Sequence, residues 1–514
     1  MKRMSKLLLT LVIAVLMSTA VFASPLDSVE RIEIGGVEFV PVRLAAYAYE
    51  ATGVEWDAEN LAVIVSYAFG DSIFSQTVRI EEHGGFIRDG ISWIPVDFAE
   101  IFFADFEEGK ARIEQQEREQ AETDEEQAAL NALIDAIADV ADSVAERSEI
   151  MDITSTDGYT FQGRLTMPQG NEDVPAVVIF INGSGPSTFY HGRYTPGLGE
   201  WNFLDSHANE FANNGIAFFS YNARGVTPST EPLSELMPFL VEIDMDGYMT
   251  YLPSNSVEDI YHMINAVQEN PRLANAQIFL LGHSEGAHIA PLFAEKYPDM
   301  ADALFLTGIP VTNMYEVVHF QASGEGVMML FRSMFEYDEQ GRITEETFYA
   351  GPWEVAFSGA GFDDLDINRD GFFDNQDLLI LWEMSGVMPV HQFNAQPLLD
   401  AIERGDDEWI FENYPLPLTS GWFAEHFALR SNMEIIPELD LPIYIFHGTL
   451  DLNTSVLGVE RLQELLEELG RNNVTINIFE NHNHDLDWDF DAFAGVFSEG
   501  LQAVFDAITF RLQQ

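Results

Sequence analysis

The sequence has 514 residues, of which 47% are apolar and 12% aromatic, and this composition excludes a disordered chain. It contains no cysteine, which excludes disulfides, thiolate metal sites and a cysteine nucleophile. The 85 acidic residues against 24 basic residues give a formal charge of −61, and such a surface repels nucleic acid and anionic membranes. We interpret this acidity as adaptation to a saline or alkaline exterior.

Residues 1–23 have the pattern of a signal peptide. A basic start precedes an apolar centre at residues 7–17, and a small-residue cleavage site follows at residues 21–23. The apolar centre is short for a membrane span. We therefore expect a secreted protein, or one on the extracellular surface, whose mature chain begins near Ser24. A retained signal anchor is the alternative.

Residues 24–105 contain a weak internal repeat of glycine turns, alternating strands and a short helix. The first copy includes the phrase VPVR, with Trp-Asp downstream, and the second copy spans residues 82–103. These phrases resemble the copper amine oxidase N-terminal-like domain of exported bacterial proteins. The resemblance implies an accessory domain that contacts the cell surface. It does not imply copper, since His83 is the only histidine in this segment.

Residues 106–148 are first highly charged and then amphipathic. The apolar positions of the second part fall on one helical face, which consists of Leu130, Leu133, Ile134, Ile137, Val140 and Val144. This pattern predicts a linker helix packed on the next domain, and a helix that binds a partner is the alternative.

Residues 149–514 alternate between strand and helix patterns, which predicts an α/β domain with a doubly wound, mostly parallel sheet. A strand pair is predicted within residues 151–167. Further strands are predicted at residues 174–181, 216–221, 278–281, 303–306, 443–446 and 474–479. The main helices are predicted at residues 257–267, 459–469 and 493–510.

Between the strand at 278–281 and a helix pattern lies the sequence Gly-His-Ser-Glu-Gly, residues 282–286. In a sharp strand-to-helix turn, small residues on both sides of a serine let the strand and helix approach closely and expose the hydroxyl. The helix N-terminus also favours negative charge developing nearby. Ser284 is therefore the predicted nucleophile. An ordinary turn with a surface serine is the alternative.

A serine nucleophile needs a general base and an acid that orients the base, in the chain order Ser, Asp or Glu, His for this architecture. Asp451 directly follows a predicted strand and is the candidate acid. Either His482 or His484 could be the base, and we favour His484 because it precedes an acidic and apolar stretch that leads into the last helix. The oxyanion hole is predicted from the backbone N–H groups of Glu285 and Ser184.

Residues 150–310 and 440–490 resemble the α/β-hydrolase superfamily, in particular acyl hydrolases of dienelactone-hydrolase and prolyl-oligopeptidase-like type. The phrases that match are VVIFINGSGPS, YNARGV, GHSEGA and HGTLD. The resemblance implies Ser284 as nucleophile, Asp451 as acid and His484 as base. It departs from the family at Asn182, where the family usually has a histidine.

Residues 311–439 interrupt the hydrolase pattern and predict a helical lid over the nucleophile. Its methionines and aromatic residues suit an apolar acyl group, although ordinary packing within the lid explains them equally well. They are Met314, Met328, Met329, Phe331, Met334, Phe335, Trp353, Trp382, Met384 and Trp422.

Within this insert, residues 366–377 have the spacing of an EF-hand or dockerin-like calcium loop. Oxygen-bearing side chains occupy the ligand positions, a glycine occupies the sharp turn, and Asp replaces the usual Glu at the last position. The predicted ligands of a structural Ca²⁺ are Asp366, Asn368, Asp370, the Phe372 carbonyl, Asp374 and Asp377. A chance acidic loop is the alternative.

Together these patterns predict an exported serine hydrolase that cleaves small-molecule carboxylic esters through an acyl-enzyme and needs no cofactor for catalysis. A serine peptidase of prolyl-oligopeptidase-like type is one alternative, although no propeller-like repeat array precedes the catalytic domain. A non-catalytic surface-binding protein that keeps the fold is the other.

Overall fold

The computed structural model describes residues 124–513 except 196–197, 230–240, 353–360, 379, 381–393 and 415. It also describes the short segments 32–34, 37–42, 45, 53–57, 62–69, 72–79, 85–88, 91–96 and 99. The predicted signal peptide, most of the helix after VPVR, His83, Trp353, Trp382 and Met384 lie outside the described residues. Among the helices that are described, none has the length and apolarity needed to cross a membrane.

The described strands are β1 (Ile32–Ile34), β2 (Val37–Pro41), β3 (Gly53–Asp57), β4 (Ala62–Phe69), β5 (Ser72–Arg79), β6 (Phe86–Arg88), β7 (Ile91–Pro95), β8 (Ser148–Thr154), β9 (Thr160–Thr166), β10 (Ala176–Ile181), β11 (Gly192–Thr195), β12 (Gly199–Asn202), β13 (Ala217–Tyr221), β14 (Val226–Pro228), β15 (Val241–Ile243), β16 (Gln277–His283), β17 (Ala303–Thr307), β18 (Ile343–Thr344), β19 (Phe372–Phe373), β20 (Ile443–Gly448) and β21 (Val474–Phe479).

The described helices are α1 (Asp124–Glu146), α2 (Phe203–Asn213), α3 (Met245–Tyr248), α4 (Pro253–Gln268), α5 (Gly286–Lys296), α6 (Met314–Ala322), α7 (Glu325–Met334), α8 (Glu345–Ala350), α9 (Phe362–Leu365), α10 (Gln396–Arg404), α11 (Asp407–Asn413), α12 (Ser420–Ala428), α13 (Asn432–Ile435), α14 (Val456–Leu469) and α15 (Glu499–Leu512).

The chain divides into two compact units. The larger unit comprises Leu130–Leu233, Phe239–Leu330 and His391–Gln514, and the smaller comprises Met1–Ala129, Ser234–Pro238 and Phe331–Val390. The predicted insert at 311–439 is therefore shared between them, because only its middle part belongs to the smaller unit.

The repeat in the N-terminal segment corresponds to two hairpins that pair with each other. β1 pairs with β2, β6 pairs with β7, and the two hairpins join through antiparallel β2 and β7, with Val40 opposite Ile94. β3, β4 and β5 form a separate three-stranded sheet. The equivalent strands of the two copies thus lie side by side.

The larger unit contains an eight-stranded sheet with the order β21-β20-β17-β16-β10-β13-β9-β8. The six strands from β21 to β13 are parallel to their neighbours, while β9 and β8 are antiparallel at one edge. The sequence-based prediction of a doubly wound, mostly parallel sheet of α/β-hydrolase type is confirmed.

Both faces of this sheet are buried, which explains why its strands read as continuous apolar runs. Along β10, Val177 and Ile179 join one hydrophobic cluster with residues of α4, α5 and α14. Val178 and Phe180 join the cluster on the opposite face with residues of α1, α2 and α15. The predicted linker helix is α1, and its apolar face packs on the second cluster.

The predicted start of the last helix at residue 493 is wrong. Residues Phe490–Ala494 form a 3-10 turn, which ends at Gly495 with φ 75°. The helix α15 begins only at Glu499, after Ser498 accepts a hydrogen bond from the Leu501 N–H. Two apolar segments separated by a left-handed glycine therefore looked like one helix in the sequence.

The turn between β16 and α5 brings the strand and the helix very close together at this edge of the sheet. A Cβ atom built on Gly286 would lie 2.0 Å from the Ile181 carbonyl oxygen, and one on Gly282 would lie 2.4 Å from the Gly286 carbonyl oxygen. Only glycine fits at both positions, so these residues allow β10, β16 and α5 to meet around Ser284.

Candidate active site

Ser284 sits at the turn where β16 ends and α5 begins, with φ 56°. A left-handed conformation is costly for a residue with a side chain and commonly marks a functional site. The Ser284 N–H donates a hydrogen bond to the Thr307 carbonyl at 3.0 Å, and the Ser284 carbonyl accepts one from Ala287 at 2.9 Å. The strained turn is thus anchored on both sides, to β17 and to α5.

Asp451 and His484 come from the loops after two adjacent parallel strands, β20 and β21. The His484 Nδ1 lies 2.7 Å from the Asp451 Oδ2. The fully buried Asp451 carboxylate also accepts hydrogen bonds from the backbone of Asn453 and from the backbone and hydroxyl of Thr454, at 2.7 to 2.9 Å. These contacts fix the carboxylate, which in turn fixes the imidazole.

His482, the other candidate base, makes different contacts. Its Nδ1 lies 3.1 Å from the Glu480 carbonyl oxygen, and its Nε2 accepts a hydrogen bond from the Gly500 N–H at 3.3 Å. Both of its ring nitrogens therefore bind backbone groups. The structure brings His484, and not His482, to Asp451.

His484 lies next to the end of β17, as Ser284 does. A Cβ atom built on Gly308 would lie 2.6 Å from the His484 Cε1, so a side chain at this position would displace the imidazole. Gly308 directly follows Thr307, which binds the Ser284 N–H. The sequence analysis did not identify Gly308, because its φ of 55° and its contact with His484 are visible only in the structure.

A second histidine–carboxylate pair, also missed in the sequence, adjoins the first. The His283 Nε2 lies 3.2 Å from the Asp485 Oδ1, and its Nδ1 lies 3.1 Å from the Thr307 hydroxyl. The rings of His283 and His484 are 4.8 Å apart. His283, Thr307 and Asp485 also line a small cavity of about 30 Å³, otherwise bounded mainly by apolar side chains.

These charges set the protonation of the candidate base. Burial acts to lower the pKa of His484, but the charge and hydrogen bond of Asp451 and the charge of Asp485 raise it above its ordinary value. Burial acts to raise the pKa of Asp451, and His484, His447 and the Thr454 N–H lower it below the ordinary range. Asp451 is thus ionised at neutral pH, as an acid that orients a base must be.

The loop after β10 lies against the candidate nucleophile, Ser284. A Cβ atom on Gly183 would be 3.1 Å from the Ser284 Cβ, so this backbone passes close to the serine. Asn182 is buried, donates a hydrogen bond to the Tyr221 carbonyl at 3.0 Å and accepts one from His191 at 3.1 Å. Asn182 therefore holds the loop that carries Ser184, while Glu285 precedes the first turn of α5.

Several residues predicted for an acyl pocket are buried. Those described and buried are Met314, Met328, Phe331, Phe335 and Trp422. Met314 and Trp422 belong to a hydrophobic cluster that also contains Tyr248 and Tyr251 from outside the insert.

The predicted calcium loop lies in the smaller unit. The Asp366 carboxylate accepts hydrogen bonds from the backbone of Asp370 and Gly371, and the Asp377 carboxylate accepts them from Asn368 and Asp374, at 2.9 to 3.1 Å. Burial raises the pKa of Asp377, as do the nearby Asp374 and Asp366 carboxylates, against the lowering effect of those N–H groups. In the described part of the chain, no group of three or more His, Cys, Asp or Glu side chains is arranged to hold a metal.

The sheet order, the strained serine turn and the Ser, Asp, His order define an α/β-hydrolase fold. Residues 195–330 match the family described as "Serine aminopeptidase, S33". Among curated proteins, none matches the sequence.

A comparison with solved structures matches a carboxyl esterase from Bacillus coagulans, with 14% identity and a TM-score of 0.40 over 71% of this chain and 98% of that one. A Pyrococcus horikoshii acylaminoacyl peptidase has 13% identity and a TM-score of 0.35 over 71% of this chain and 41% of that one. An esterase from Exiguobacterium antarcticum has 12% identity and a TM-score of 0.35 over 71% of this chain and 99% of that one. Because these values are low, the fold assignment rests on the sheet and the turn themselves.

The raised pKa of His484 gives a testable pH dependence. A general base acts only when neutral, so kcat/KM should fall as the pH drops through that pKa, at a pH above the ordinary histidine value of about 6.5. Asp451→Asn should lower kcat by about 10⁴-fold. It should also move this fall in kcat/KM, the acid limb of the profile, to lower pH, because the main group that offsets the effect of burial on the imidazole pKa is then lost while Asp485 remains. The measurement is a pH–rate profile on an activated ester.

Asp485→Asn is the matched control, because it removes a neighbouring charge without touching the hydrogen bond to His484 Nδ1. Asp485→Asn should also move the acid limb to lower pH, but its kcat should stay much closer to that of the parent. An acid limb that Asp451→Asn leaves unmoved would contradict the assignment of Asp451.

Proposed function

We propose that this chain is an exported serine hydrolase that cleaves carboxylic esters with Ser284, His484 and Asp451. The observation that carries the proposal is the 2.7 Å contact between His484 and Asp451, next to a serine in a strained strand-to-helix turn. The match of residues 195–330 to a hydrolase family supports the same class of reaction.

In the proposed reaction, the Ser284 oxygen attacks the acyl carbon while its proton passes to the His484 Nε2. The backbone N–H groups of Glu285 and Ser184 stabilise the oxyanion of the tetrahedral intermediate. The intermediate then expels the alcohol, which takes the proton from His484. A water molecule that gives its proton to His484 attacks the acyl-enzyme, and the carboxylic acid leaves as Ser284 regains its proton.

A serine peptidase is the second candidate, because the family that matches is described as a serine aminopeptidase. The same nucleophile, base and oxyanion donors would serve an amide, whose amine leaving group takes the proton from His484. Assays on esters and on aminoacyl and N-acylpeptide anilides separate the two candidates.

The first test is hydrolysis of nitrophenyl esters of increasing acyl length by the full chain, in high salt because of the large negative charge. We expect turnover with an optimum chain length that reports the size of the acyl pocket. Ser284→Ala and His484→Ala should each lower kcat by about 10⁴-fold or more.

His482→Ala is the matched control for His484→Ala, since it removes a neighbouring imidazole that binds only backbone groups. It should keep most of the activity. Equal rates for the parent and Ser284→Ala would disprove the nucleophile assignment, and inertness toward every ester and anilide would favour the binding protein.

Export is supported by the signal-peptide pattern of residues 1–23. N-terminal sequencing of the protein recovered from culture medium should begin near Ser24. Retention of the full chain in the cell membrane would instead indicate a signal anchor.

We also propose that residues 366–377 bind a structural Ca²⁺. The donors are all oxygens, which Ca²⁺ prefers. A bound cation would also offset the burial and the neighbouring carboxylate charges that raise the pKa of Asp377. Bound Ca²⁺ would replace some of the hydrogen bonds that these carboxylates now accept from the loop backbone.

Calcium should therefore raise the melting temperature of the full chain. The gain in unfolding free energy should grow with the logarithm of the calcium concentration and reach about 2.7 kcal/mol at 100 times Kd. Asp370→Ala should lose most of this gain, because the exposed Asp370 is a predicted ligand. Asp363→Ala, which removes a nearby exposed carboxylate outside the loop, should keep it. Measurements at constant high ionic strength separate binding from charge screening, and a parent without any calcium response would refute the site.

A further inference from the structure

The residue after the nucleophile has a buried side chain that the proposed reaction does not use. Glu285 is 2% exposed, and its carboxylate accepts three hydrogen bonds. The donors are the Tyr251 hydroxyl at 2.7 Å, the Trp422 Nε1 at 2.9 Å and the His426 Nε2 at 2.8 Å. All four residues belong to the larger unit.

Burying a carboxylate raises the free energy of the folded state strongly unless its oxygens are fully hydrogen bonded. Glu285 meets that requirement through two separate parts of the chain. Trp422 and His426 are four residues apart on α12, and therefore lie on one face of that helix. Tyr251 lies between α3 and α4. A side chain that served only to fill space would not need three donors from distant segments.

The same contacts reach both sources of the predicted oxyanion hole. One N–H donor belongs to the backbone of Glu285 itself. The other belongs to the loop after β10, and the Tyr251 hydroxyl lies 3.5 Å from the Gly183 carbonyl oxygen of that loop. Tyr251 therefore lies between the carboxylate of Glu285 and the residue that precedes Ser184.

The insert also contacts this loop directly. A Cβ atom on Gly185 would lie 3.4 Å from a Leu416 methyl group, and Leu416 precedes α12 by a few residues. The segment from Leu416 to His426 thus packs on the oxyanion loop at one end and binds the nucleophile turn at the other. This part of the insert is therefore held in place at both ends by contacts with the proposed site.

We propose that the Glu285 side chain is a positioning residue that aligns the two oxyanion N–H donors and holds α12 against the nucleophile turn. The inference rests on the proposed function, since it assigns a role within that reaction. Oxyanion donors act only when they point at the developing charge, so a small shift of either backbone segment lowers kcat. Substrate binding in the ground state depends less on this alignment.

The experiment compares Glu285→Gln, Glu285→Leu and Tyr251→Phe in the full chain. Glutamine keeps the side-chain volume and an acceptor for Trp422 and His426, so kcat should fall less than 10-fold. Leucine leaves three buried donors unpaired, and kcat should fall about 100-fold or more with KM changed less than threefold. Tyr251→Phe removes one donor, and its kcat should lie between those of Glu285→Gln and Glu285→Leu.

Two readouts separate positioning from general stability. The rate of labelling of Ser284 by a fluorophosphonate should fall in the same order as kcat. The affinity for a boronic acid, whose tetrahedral adduct resembles the transition state, should fall in parallel. Neither readout requires the natural substrate.

Asp205→Asn is the matched control. Asp205 is also a buried carboxylate, bound to the Arg164 guanidinium at 2.5 Å, but no contact joins it to the nucleophile turn. It should lower the melting temperature while leaving kcat, labelling rate and boronate affinity close to the parent.

Each outcome decides the question. A folded Glu285→Leu variant with the parent's kcat and labelling rate would overturn the inference. It would also be overturned if kcat and labelling rate fell in proportion to the melting temperature in Asp205→Asn as well as in the Glu285 variants. If Glu285→Leu does not fold, the comparison uses the other proteins, and kcat and labelling rate should decrease in the order parent, Glu285→Gln, Tyr251→Phe. Any other order would contradict the inference. A parent protein that is neither labelled nor active defeats the proposed function itself, whereas a labelled parent with unaffected variants defeats only this inference.

Discussion

The rest of the site depends on the contact between β10 and α5, where a Cβ atom on Gly286 would penetrate the Ile181 carbonyl oxygen. This contact forces the chain to turn within residues 282–286, and the turn places Ser284 in a left-handed conformation. The buried parallel strands supply the force that holds it, because both faces of the sheet are covered by hydrophobic clusters. A strained serine can persist only where the surrounding packing leaves it no alternative.

Electrostatics at the site follow from carboxylates held close to imidazoles in a chain that is strongly acidic throughout. Asp451 binds His484 and Asp485 binds His283, and the two rings are 4.8 Å apart. Both carboxylates favour the charged form of His484, which opposes the effect of burial. The pKa of the candidate base is therefore raised by two local anions, and salt that screens the distant surface charge acts much less on these partly buried pairs.

The sequence predicted what depends on local pattern and missed what depends on contacts between distant residues. The strands of the sheet were predicted because buried apolar runs are continuous, and the serine turn because its glycines are close in sequence. The choice between His482 and His484 required the position of Asp451. Gly308, Asp485 and the carboxylate of Glu285 were missed because their partners lie elsewhere in the chain. The last helix was misplaced because a 3-10 turn has the same apolar content as a helical turn.

The hydrogen bonds from Trp422 and His426 to Glu285 also bear on how such an enzyme can be modified. Inserts at this point of a hydrolase sheet look like modules that could be exchanged to change substrate range. Here α12 of the insert and the turn that carries Ser284 are joined at a buried carboxylate, so removing α12 would leave that anion in an apolar interior without two of its three donors. A graft from another protein would therefore need a new residue at position 285 as well. The insert and the turn are coupled parts of one fold and must change together.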